Sequence, residues 1–123
     1  KVCDEVLVVT NPELPAVTDA MKLVEISKRM KKKVLGIVVN RVKWNKYEVR
    51  REEIEDVCGV EVLAEIPEDS NVSRSIQAKN PLLRYNPYSK AAIEIRKLAA
   101  KLVNVEYSPP RMTFIRSLIG RFI

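Results

Sequence analysis

Val34-Leu35-Gly36-Ile37-Val38-Val39-Asn40-Arg41 decides the fold. Six nearly continuous apolar residues, rich in β-branched side chains and stopped by two polar ones, have the length of a strand and lack the alternation of a half-exposed one. Such a strand is expected to be covered on both faces, as in a parallel sheet. Working outward, Val6-Leu7-Val8-Val9 repeats the pattern and ends at Asn11-Pro12, and Val60 to Ile66 reads as a third strand closed by Pro67. Between the first two runs the sequence predicts a helix from Pro15 to Lys31, burying Val17, Ala20, Met21, Leu23, Val24 and Ile26. Between the second and third it predicts a helix from Lys46 to Cys58, closed by Gly59.

Strands alternating with helices read as βαβ units. The expected class is α/β: a three-layer, doubly wound, mostly parallel sheet. Beyond it, Asn71 to Ala78 reads as a short helix capped near Asp69 or Ser70, and Lys79 to Asn86 as irregular. A further helix opens at Asn86-Pro87, with Ala91, Ala92, Ile95, Leu98, Ala99, Leu102 and Val103 on one stripe. Three strands make a small sheet for runs this apolar, so one half of a larger fold is expected. The opening residue, Lys1 rather than Met, also suggests a piece of a longer protein.

Composition removes several chemistries. The 123 residues include no histidine, so no imidazole base or histidine-bound metal comes from this chain. The three glycines, Gly36, Gly59 and Gly120, are too far apart for GxGxxG or a P-loop. Cys3 and Cys58 match no zinc or CxxC spacing and read as buried thiols. No run reaches the length of a membrane span. Of the net charge of +6, the last third alone supplies a surplus of six, with eight basic and two acidic residues from 81 to 123. That asymmetry points to an anionic partner: a membrane, a nucleic acid or an acidic protein. The cluster Lys28, Arg29, Lys31, Lys32, Lys33 reads as a solvated helix end.

In an open parallel sheet, ligands lie beyond the carboxyl ends of the strands. Those ends are Thr10-Asn11-Pro12-Glu13, Asn40-Arg41 and Ile66-Pro67-Glu68-Asp69. The Asn40 amide can donate and accept, as a purine edge requires, and the backbone around Pro67 to Asp69 can supply further contacts.

Val8-Val9-Thr10-Asn11-Pro12-Glu13, Gly36-Ile37-Val38-Val39-Asn40-Arg41 and Ile66-Pro67-Glu68-Asp69 resemble, in order and spacing, the C-terminal half of the MinD/ParA ATPases, most nearly the archaeal MinD branch. The resemblance spans residues 4–104 and extends to the tail. It implies that Asn40, with Arg41 beside it, recognises adenine, that Pro67, Glu68 and Asp69 line the adenine pocket, and that Glu13 lies at a dimer face near the partner's nucleotide. It also implies ATP or ADP with Mg2+ in the complete protein, an ATP-dependent homodimer, a division or regulatory protein partner, and a cytoplasmic protein peripheral on the inner face of the membrane. Nucleic acid is not an expected partner. The family's deviant Walker A loop and magnesium-binding aspartates have no counterpart here, so the chain alone is expected to be inactive. Lys79-Asn80-Pro81 replaces the usual Gly before Pro. Two other readings stay open: a non-catalytic membrane- or protein-binding module, and a ParA-like DNA-partitioning ATPase.

Residues 105–110 read as a linker, and 111–123 as an amphipathic membrane-targeting helix. Ile115, Leu118, Ile119 and Phe122 fall at i, i+3, i+4 and i+7, with Phe114 at the margin. Arg111, Arg116 and Arg121 supply charge for anionic headgroups. MinD proteins carry a similar C-terminal helix.

Overall fold

The computed structural model describes residues 5–103. In chain order these form β1 (Glu5–Thr10), α1 (Leu14–Arg29), β2 (Lys33–Val42), α2 (Arg51–Cys58), β3 (Val62–Pro67), α3 (Ser70–Gln77), α4 (Leu82–Tyr85) and α5 (Lys90–Leu102). The linker and tail, residues 105–123, and Cys3 lie outside the described residues. The chain divides into two compact units between Glu68 and Asp69.

The first unit is an α/β sheet in the order β1-β2-β3, parallel throughout, with Val8 opposite Ile37 and Val39 opposite Glu65. Val8, Ile37, Val39 and Val62 from the strands meet Val17, Ala20 and Val24 of α1 and Ile54 and Cys58 of α2 in one core. Burial pushes the Cys58 thiol up from its ordinary range, which leaves it protonated and inert. Gly36 is required by a close approach. Its φ is +152°, and a β-carbon there would stand 2.6 Å from Leu63 Cγ and 2.7 Å from the Glu61 carbonyl oxygen. That approach lets the Ile37 N–H donate to Glu61 O at 2.8 Å.

Several expectations need correcting. β2 does not stop at Asn40-Arg41 but continues to Val42, whose carbonyl accepts from the Glu68 N–H at 2.9 Å. α2 begins at Arg51 rather than Lys46, because residues 43–50 form a loop closed on the Glu48 carboxylate. β3 begins at Val62 rather than Val60. Val9, expected to be covered, is 58% exposed. Leu23 and Ile26, expected in the core, lie on the outer face of α1, because the buried stripe through Val17, Ala20 and Val24 is narrower than the apolar content of the helix.

In the second unit, Leu82 to Tyr85 forms a helical turn behind Pro81 where irregular chain was expected. Helix α5 starts at Lys90, beyond Pro87, because the Ser89 hydroxyl accepts from the Ala92 N–H. Ala91 and Ala92 are buried, whereas Ala99, Leu102 and Val103 of the expected stripe are exposed.

Candidate functional site

The carboxyl ends of the three strands form one edge of the first unit. After β1, Pro12 is buried and Glu13 is the exposed N-cap of α1, its carbonyl accepting from the Val17 N–H at 2.9 Å. In β2, Asn40 Oδ1 accepts from the Arg41 N–H at 3.0 Å, while its Nδ2 donates to no group among the described residues. Arg41 adopts φ +57°, a left-handed value, where the pairing of β2 with β3 shifts register between Val39 and Val42. Its guanidinium Nε meets Glu68 Oε1 at 3.4 Å, and Lys43 Nζ reaches Glu68 Oε2 at 4.0 Å. Glu13, Arg41 and Glu68, from three different strand ends, line one cleft of about 180 Å³ together with Lys43, Tyr47 and Glu48.

The loop after β2 is tightly organised. Glu48 accepts from the N–H groups of Lys43 (2.9 Å) and Trp44 (2.8 Å), and Asn45 Oδ1 accepts from the Tyr47 N–H (3.0 Å). The Val49 N–H donates to Pro12 O at 2.9 Å, pinning the loop to the β1–α1 turn. A larger groove, of about 470 Å³, is lined by the same loop through Trp44 and Lys46 and by Arg51 and Glu65. Sequence reading ended this loop at Lys46 and gave it no role at the site, although the dense run Lys43-Trp44-Asn45-Lys46-Tyr47-Glu48 directly after a strand end was a usable signal.

The expected site residues are therefore brought together in part. Glu13, Arg41 and Glu68 converge, whereas Asn40 and the buried Pro67 line neither hollow. Asp69 belongs to the second unit, where its Oδ1 accepts from the Asn71 N–H and side chain (2.9 Å each) and its Oδ2 from the Ala91 N–H (3.0 Å). Burial alone raises this carboxyl, but the hydrogen bonds from Ala91, Asn71 and Ser89 outweigh it and hold Asp69 below the ordinary aspartate range. The tail residues Arg111, Phe114, Ile115, Arg116, Leu118, Ile119, Arg121 and Phe122 lie outside the described residues.

The donor set fits the base end of a nucleotide: a half-buried amide with an unused donor, beside cations and carboxylates suited to polar edges. It does not fit the phosphates or their metal. Among the described residues no three His, Cys, Asp or Glu side chains cluster as a metal site.

Residues 4–82 match the CobQ/CobB/MinD/ParA nucleotide binding domain. The chain belongs to this family. An uncharacterized ATP-binding protein of Methanocaldococcus jannaschii is 35% identical over 120 residues, 98% of this chain and 46% of that protein. Among solved structures, the cell division ATPase MinD of Pyrococcus furiosus superposes with a TM-score of 0.76 at 37% identity, covering 82% of this chain and 43% of that one. The septum site-determining protein MinD of Pyrococcus horikoshii, complexed with Mg-ADP, gives 0.75 at 34% identity, covering 80% and 41%. This MinD/ParA-family chain thus shares the α/β fold of archaeal MinD proteins and spans less than half the length of the curated relatives it matches.

Proposed function

We propose that this chain is the adenine-side portion of a MinD-type ATPase, a nucleotide-dependent, membrane-associated switch for division-site placement or cell polarity. The observation that carries the reading is the convergence of Glu13, Arg41 and Glu68, from three strand ends, on one cleft; Asn40, which precedes Arg41 at the same strand end, keeps an amide donor that meets no group among the described residues. Family membership and the Mg-ADP complex of a relative support a nucleotide at this edge. In the complete protein Asn40 and the backbone near Pro67 hold the base, while phosphate and Mg2+ ligands come from outside this chain. Bound ATP supplies the charge that an ATP-state homodimer encloses, and Glu13 stands at that dimer face. The basic, amphipathic segment Arg111 to Ile123 anchors the protein peripherally, by apolar burial of Phe114, Ile115, Leu118, Ile119 and Phe122 and by about 1 kcal/mol for each arginine near anionic lipid.

Two measurements test this. In the complete protein, Asn40→Ala weakens ATP by about 1–3 kcal/mol and leaves a phosphate-only ligand unaffected, by calorimetry. Equal ATP affinity in the variant reduces Asn40 to a turn residue. The 123-residue chain co-sediments with anionic vesicles at low salt, and Ile119→Glu abolishes this. A wild-type chain that stays in the supernatant defeats the anchor.

A further inference from the structure

The cations at the end of α1, which the sequence assigns to a solvated helix end, border an apolar surface that the helix leaves uncovered. Leu23, Ile26 and Met30 are 52%, 51% and 58% exposed, and at i, i+3 and i+7 they form one stripe on the outer face of α1. Lys22 and Arg29, also seven apart, form the adjacent row, and Lys31 extends the charge at the helix end, whereas Lys28 reaches the other way, toward Gly59 at the end of α2. None of these four cations takes part in an ion pair among the described residues. They are solvated and available, whereas Lys33 pairs with Glu5 and Arg51 with Glu55 and Glu65.

We infer that this face of α1 is a second membrane contact, lying against anionic phospholipid. The inference rests on the peripheral-membrane reading above. Charge complementarity selects an anionic partner, and the exposed apolar stripe selects one with a hydrocarbon layer beneath its charged surface rather than a phosphate backbone alone. The outer face of a single helix is convex, so it suits a deformable planar surface better than the groove another protein needs to receive a helix. The charge is graded along the axis. Asp19 stands at the N-terminal end of the stripe, and the cations gather at the other. The C-terminal turn of α1 therefore sits deepest, and the contact fixes how the first unit faces the membrane.

The test uses the full 123-residue chain with Cys3→Ser and Ile26→Cys, labelled with an environment-sensitive fluorophore; the buried Cys58 stays unlabelled. A matched label at Glu52→Cys, on exposed α2, is the control. With vesicles of phosphatidylcholine and phosphatidylglycerol, emission at position 26 shifts to the blue and rises, and emission at 52 does not change. Lys22→Gln with Arg29→Gln lowers vesicle partitioning about 30-fold, a factor of about five for each cation, without moving the thermal midpoint. Unchanged emission at 26 on vesicles that pellet the chain overturns the α1 contact and leaves the tail anchor standing. A chain that fails to pellet overturns both. Emission at 26 that answers duplex DNA instead of vesicles, or self-association in buffer removed by Ile26→Glu, assigns the stripe to another occupant and overturns the inference.

Discussion

The guanidinium Nε of Arg41 stands 3.4 Å from Oε1 of Glu68, so a side chain of β2 meets one that follows β3 at the edge where Glu13 closes the same cleft. Both partners are well exposed, and Arg41 holds a left-handed backbone. Pairs this solvated contribute little to stability. Arg41→Ala is expected to change unfolding free energy by less than about 0.5 kcal/mol, with urea titrations at low and high salt converging on the same midpoint. A larger loss would mean that the pair organises the strand ends rather than decorating them.

Gly36→Ala should be far more damaging. The added carbon meets Leu63 Cγ at 2.6 Å and Glu61 O at 2.7 Å, at a φ of +152° that side chains avoid. Crowding and backbone strain together cost about 3 kcal/mol, read as a lower urea midpoint with unchanged slope. Adding Leu63→Ala should restore only part of the loss, since the carbonyl oxygen belongs to the main chain.

Asp69→Ala removes the cap of α3 and leaves the Ala91 N–H without its acceptor, at a cost of about 2 kcal/mol. Its folded pKa lies below the unfolded value, so the carboxylate contributes stability above the unfolded pKa of about 3.9 and loses it as pH falls through the folded one. Thermal melts between neutral and acid pH should show the wild type losing ground below about pH 4, and Asp69→Asn losing less there.

Glu48→Ala leaves the Lys43 and Trp44 N–H groups without their acceptor, yet Glu48 is not a member of the core. Because Trp44 is the only tryptophan, its steady-state fluorescence anisotropy reports the loop directly. Anisotropy should fall while the melting temperature holds; an unchanged value would show that Val49 and Pro12 alone keep the loop in place.

Strand identity and parallel pairing were legible because continuous β-branched runs separated by amphipathic helices permit few other arrangements. Gly59 was legible as a helix stop for the same local reason, and it closes α2 at φ +70°. What escaped was set by partners distant in sequence. Nothing near Gly36 announces Leu63, and nothing near Asp69 announces Ala91, so a residue read as the cap of one helix is in fact a brace between two helix starts. The loop at 43–50 escaped for another reason. Its helical-looking composition is overridden when one carboxylate, Glu48, offers the backbone a competing set of acceptors. At the site, the polar character of each strand end was readable, but which of those side chains share a cleft depended on the left-handed turn at Arg41.

The one-sided pairing of β1 divides its amides into two populations. β2 is laddered on both sides, whereas β1 is bonded only to β2 among the described residues. In a parallel ladder alternate residues point their N–H groups to opposite neighbours. Deuterium should therefore enter every second amide of β1 as fast as it enters a loop, while the amides between them, and nearly all of β2, exchange only when the sheet opens.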